Sequence, residues 1–135
     1  MNDEMNPTEY LLLFKSTDWS HNLSLEEMQQ IMEKTYAWFD GLKADGKFKA
    51  AQPLFSEGRM VSGRNGASVT DGPFAETKEA IGGYLIITVD SMEEAVQIAR
   101  GWPLLECGST LEVRPIAPEC PEFYKLRKSL VLATA

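Results

Sequence analysis

One histidine, His21, and two cysteines, Cys107 and Cys120, are all the imidazole and thiol chemistry in these 135 residues. The cysteines form no Cys-x-x-Cys pair and have one imidazole to share, which argues against a zinc site and for free thiols in a reducing compartment. Positive charge is also scarce. Lys and Arg number 13 against 20 Asp and Glu, giving a net charge of −7. The basic residues are scattered, whereas nucleic-acid binding needs them clustered on one surface. The local exception, Lys125, Arg127 and Lys128, reads as a solvated helix face. No apolar run approaches the roughly 18 residues that cross a bilayer. The acidic start, Met1 to Met5, lacks the positive region and apolar core of a secretion signal, so a cytoplasmic protein without membrane contact is expected. Neither glycine-rich stretch makes a phosphate loop: Gly63-Arg64-Asn65-Gly66 lacks the Lys-Ser/Thr ending, and Gly82-Gly83 opens a strand. A nucleophile elbow is missing as well. No metal and no cofactor is therefore expected.

What is present suffices for one domain, with a hydrophobic fraction of 44% and a charged fraction of 24%. Glu9 to Lys15 is apolar without alternation and predicts a strand covered on both faces. Ser24 and Glu27 form a capping box, so a helix begins near Leu25. Met28, Ile31, Met32, Thr35, Phe39 and Leu42 give it an apolar stripe, and Asp45-Gly46 ends it. Lys47 to Ala51 predicts a second strand, ended by Pro53. Arg59 to Gly63 and Ala67 to Thr70 flank Asn65-Gly66, a dipeptide that favours a two-residue type I′ hairpin because both positions take positive φ. Ala80 to Val89 predicts the strongest strand. Ser91 and Glu94 form a second capping box before a helix with Met92, Ala95, Val96 and Ala99 on its buried side, closed by Gly101 and Pro103. Leu111 to Arg114 is the last strand of the core. Beyond Pro118, Pro121 can open a short helix holding Phe123, Tyr124 and Leu126, with a frayed tail as the alternative.

Strand, helix, strand, hairpin, strand, helix, strand reads as an α+β sandwich of the ferredoxin-like type. Two helices cover one face of one sheet. The other face of Leu11 to Phe14 and of Tyr84 to Ile87 is apolar too, and the cover expected for it is a second copy of the chain.

The run Val69 to Tyr84 carries the candidate chemistry. Gly72 and Pro73 make a tight corner and Asp71 can accept backbone amides beyond it, while Phe74 is given a fixed direction in which to bury. Glu76, Lys78 and Glu79 follow just before the strand. One interpretation is a structural corner clamped by Asp71. The other is a site in which Asp71 moves a proton, Glu76 or Glu79 tunes it, Lys78 balances charge or holds an anionic group, and Phe74 with Trp19 excludes water. His21 shares its loop with Trp19 and is a further ligand-binding candidate, as is Arg64 on the hairpin, where a guanidinium can grip a carboxylate.

The Asp71-Gly72-Pro73-Phe74 run, continued through Tyr84 to Ile87 and Leu111 to Ile116, resembles the motif that names the DGPF-domain proteins of the YCII-related family. The resemblance spans about residues 9–116 of a single domain over 1–135, with 117–135 as a C-terminal extension. It implies a dimeric α+β barrel, two sheets face to face with helices outside, and hence a homodimer. It implies no particular reaction. The expected function is small-molecule binding with acid-base chemistry at Asp71. The alternative is a non-catalytic regulatory module, since some relatives are encoded beside alternative sigma factors.

Overall fold

The computed structural model describes residues 6–15, 19–72 and 80–134. Its strands are β1 (Glu9–Lys15), β2 (Phe48–Pro53), β3 (Arg59–Ser62), β4 (Ser68–Asp71), β5 (Ile81–Thr88) and β6 (Thr110–Pro115). Its helices are α1 (Leu25–Ala44), α2 (Met92–Ala99) and α3 (Pro121–Thr134). Four strands form an antiparallel sheet in the order β2-β5-β1-β6, and β3 with β4 forms a separate two-stranded ribbon. This is the ferredoxin-like path, a mixed α+β fold with the first and third core strands at the centre.

Local chemistry explains where the helices start. At α1 the Glu27 N–H donates to Ser24 Oγ (3.1 Å) and the Ser24 N–H donates to Glu27 Oε1 (3.0 Å), the reciprocal capping box. At α2 only half of the expected box forms. The Glu94 N–H donates to Ser91 Oγ at 3.1 Å, but the Glu94 carboxylate takes the Asp90 N–H (3.4 Å) and an ion pair with Lys47 (3.1 Å). A nearby cation competes successfully with the cap backbone for one carboxylate.

The hairpin also differs from its expected form. Ser62 pairs with Ser68, so five residues, not two, connect β3 to β4. Asn65 (φ 63°) and Gly66 (φ 66°) take the positive φ that their types favour, yet Gly63 at φ 85° turns the chain first and the Gly66 N–H closes a 3-10 turn on the Gly63 carbonyl (3.1 Å). Pro103 does more than end α2: it opens a second 3-10 turn, Pro103–Cys107, that sets Trp102 and Leu104 into the core. The C-terminal segment is a 14-residue helix in which Tyr124 is buried while Phe123, Leu126, Leu130, Val131 and Leu132 are exposed.

The two faces of the sheet are unequal. Tyr10, Leu12, Leu85 and Ile87 are buried in one cluster with Leu42 of α1 and Ala95 and Ala99 of α2. On the other face Leu11, Leu13, Tyr84 and Ile86 are only half-buried. Around these four, Lys15 pairs with Glu112 (2.7 Å), Arg114 with Glu112 (3.4 Å) and Lys49 with Glu9. The second face is thus an apolar centre bordered by ion pairs, and neither α1 nor α2 packs on it.

Candidate functional site

A second hydrophobic cluster joins Ile31, Trp102 and Leu104, with Phe14, Trp19, Trp38 and Phe39 packed against it. Its geometry depends on a close approach in the sheet. Phe14 lies opposite Gly83, where an added Cβ would stand 2.9 Å from the Gln52 carbonyl oxygen and 3.4 Å from Phe14 Cδ2. Glycine lets the Phe14 ring settle there, and it stacks on Trp102 with centroids 4.4 Å apart and planes at 26°. Trp38 and Phe39 present edges to Trp102 at 5.2 and 6.1 Å. Such offset and T-shaped contacts suit the quadrupoles of the rings and hold them rigid.

Above this aromatic floor α1 leans on the 103–107 turn and touches β2 lightly. A cleft of about 1050 Å³ remains between α1 and the β2 edge. Met28, Met32 and Tyr36 form the helix wall and Phe48 with Leu54 the strand wall, while Trp19 closes one side. Lys43 stands at the rim with its Nζ 5.0 Å from the Phe48 ring centroid. The apolar stripe foreseen on α1 is therefore split: Ile31 and Leu42 are buried, but Met32 is 47% and Tyr36 62% exposed, because they face the cleft.

The polar groups of this cleft differ in one respect. Thr35 Oγ1 donates to the Ile31 carbonyl at 2.7 Å and Ser109 Oγ to the Lys15 carbonyl at 3.0 Å, so both hydroxyl protons are occupied by backbone. The Trp102 Nε1–H is buried without an acceptor. The carboxylates with displaced ionisation lie elsewhere. The hydrogen bond from Lys47 holds Glu94 below the usual range, that from Lys15 does so for Glu112, and the Ser24 backbone N–H for Glu27.

Of the candidate site residues named from the sequence, Trp19 is the only one among the described residues that lines the cleft. Asp71 sits on β4, 77% exposed, with an oxygen 3.3 Å from Arg59 Nε. It closes the hairpin base together with the Gly72 N–H, which donates to the Gly58 carbonyl (3.2 Å). Arg64 is exposed in the hairpin turn and His21 is exposed before α1. Phe74, Glu76, Lys78 and Glu79 lie outside the described residues. Trp102 and Lys43 have no place in the sequence-based site, and Phe14 and Phe39 enter it only as strand and helix residues, although an α1 stripe too wide for one buried seam, with Tyr36 beside it, is a readable sign of a second apolar surface.

A model of the YCII-related domain matches residues 8–119. The chain belongs to the YCII-related family. The aromatic cleft and the Asp71-Gly72 corner thus both fall inside the span of this YCII-related domain. No curated protein matches the sequence. Among solved structures the chain is similar to 5-chloro-2-hydroxyhydroquinone dehydrochlorinase from Burkholderia phenoliruptrix AC1100 in complex with 2,5-dihydroxybenzoquinone. That likeness has 18% identity over 80% of this chain and 92% of that chain, with a TM-score of 0.47. Among the described residues no helix is long and apolar enough to cross a membrane.

Proposed function

We propose that this YCII-related protein binds a small organic molecule in the cleft between α1 and β2, and that it works as a homodimer. The observation that carries the binding site is the open cleft itself, about 1050 Å³ over a floor of packed Phe14, Phe39 and Trp102. Ligand sites commonly have about 300–1,000 Å³ of mostly apolar lining with a few polar groups, and this cleft lies just above that range. Rigid rings on its floor offer contact area at low entropic cost.

The dimer is supported by the sheet face on which neither α1 nor α2 packs. An apolar centre with a charged border is the usual anatomy of an interface, and Leu11, Leu13, Tyr84 and Ile86 inside their ring of ion pairs have that pattern.

Asp71 enters this proposal as a hairpin clamp through Arg59, with proton transfer to a bound molecule as the competing role. The experiment for the cleft is titration with 1-anilinonaphthalene-8-sulfonate, read by fluorescence and by stoichiometry per chain. One saturable site per chain is expected. Met32→Glu puts a charge into the helix wall at an already exposed position, and it should weaken that binding at least tenfold with the circular dichroism unchanged. Equal binding by wild type and Met32→Glu would move the site away from this cleft.

A further inference from the structure

We propose that the cleft takes a long-chain carboxylate, with the anionic head at Lys43 and the apolar chain laid along α1 toward Leu25. This rests on the cleft being the binding site and adds to it the class of ligand.

The cleft is long, and its charge is confined to one end. Its helix wall runs from Leu25, the first residue of α1, to Lys43, the last but one, a span of roughly 27 Å at the helical rise per residue. About 1050 Å³ spread along that length makes a groove, which suits an extended chain better than a compact body. Among the described residues that line it, charge occurs at Asp40 and Lys43, both in the last two turns of α1. Toward the other end Leu25, Met28, Met32 and Leu54 offer apolar side chains, and the two methionines can adapt to a chain laid against them.

Lys43 sets the sign of the head group. Lys15, Lys47 and Lys49 pair with Glu112, Glu94 and Glu9. Lys43 makes no ion pair among the described residues, Asp40 included, and its ammonium is held instead over the Phe48 ring of the strand wall, 5.0 Å from the centroid. The side chain thus leans from the helix across to the strand at one end of the groove. A ring occupies one side of an ammonium and leaves its other N–H donors for an acceptor. A carboxylate at the end of an apolar chain supplies the partner that the three paired lysines already have, while the chain covers the uncharged wall.

Decanoate, 1-decanol and decyltrimethylammonium share one chain and differ in the charge of the head, so they separate this from simple hydrophobic uptake. Each is titrated into the full-length protein below its micelle concentration, with tryptophan fluorescence as the readout. Decanoate should bind more tightly than decanol by roughly three- to fivefold, the upper span for an exposed ion pair, and the difference should shrink in high salt. Hexanoate should bind more weakly than decanoate by about fourfold for each methylene removed, because the groove is long enough to cover the whole chain. Lys43→Met, at an exposed position, should bring decanoate to the level of decanol with the circular dichroism unchanged. Equal affinities for decanoate and decanol in the wild type, or a preference that survives Lys43→Met, would overturn the role of Lys43. Tightest binding of decyltrimethylammonium would overturn it in favour of Asp40. An affinity that ignores chain length would overturn the extended pose. Decanol binding that Met32→Glu leaves untouched, or no binding of any probe, would overturn the cleft as the site.

Discussion

At the scale of single residues, the cleft depends on side chains whose individual chemistry is bland. Gly83 is the sharpest case. A methyl group there would press on the Gln52 carbonyl oxygen at 2.9 Å and on the Phe14 ring. Gly83→Ala should therefore cost about 1–3 kcal/mol in urea unfolding, the usual range for overpacking, and it should weaken probe binding as the Phe14 ring shifts. Asp71 predicts the opposite pattern. Its ion pair with Arg59 is mostly in solvent, and such pairs contribute little. Asp71→Asn should change stability by no more than about 0.5 kcal/mol, and probe affinity should stay within twofold. A large loss of affinity without loss of stability would instead favour the proton-transfer role. Trp19 could be singled out from the sequence because tryptophan in a loop must bury its surface somewhere. Trp102 could not, since its place among the rings of Phe14, Trp38 and Phe39 is a property of the fold.

At the scale of elements, the caps and ion pairs decide how the helices and strands hold at low pH. Ser24→Ala removes one half of the α1 capping box and should cost about 1 kcal/mol, measured by urea unfolding. Glu94 and Glu112 have folded-state pKa values below the usual 4.5, first because of hydrogen bonds from Lys47 and Lys15. A depressed carboxyl pKa contributes stability that is complete above the unfolded value and is lost as pH falls through the folded one. The urea midpoint should accordingly be steady from neutral pH down to about 5 and fall from there to about 3. Lys47→Met, which removes the chief cause at Glu94, should make that fall shallower. The elements themselves were largely legible. Both helix starts follow from a serine three residues before a glutamate, and β1 and β5 from unbroken apolar runs. The five-residue hairpin connection was not, because Gly63 turned the chain before Asn65-Gly66 had the chance to form a two-residue loop. The half-formed box at α2 was not either, since Lys47 comes from a distant part of the chain to claim Glu94.

At the scale of the whole molecule, the proposed dimer rests on the unequal faces of the sheet. Sedimentation or light scattering should return a particle of roughly twice the 15.1 kDa chain mass, as expected for closed twofold pairing. Leu13→Glu places a charge in the apolar centre of the bare face and should yield a monomer with helical circular dichroism retained. A wild type that runs as one chain would remove the proposed interface.

The sequence by itself determined which segments are helix and strand and the order in which they come, hence the ferredoxin-like path. Those properties are local, set by caps, periodicity and turn residues, whereas the family is carried by the resemblance of the Asp71-Gly72-Pro73-Phe74 run and the domain match over residues 8–119. It also determined that the central strands are apolar toward both sides. Only the tertiary structure decided where a cavity is left, because a cavity is the space that packing fails to fill: α1 leans on the Pro103 turn, Phe14 drops onto Gly83, and the gap over β2 stays open. The same packing decided which donors find partners, occupying the protons of Thr35 and Ser109 and leaving that of Trp102 without an acceptor.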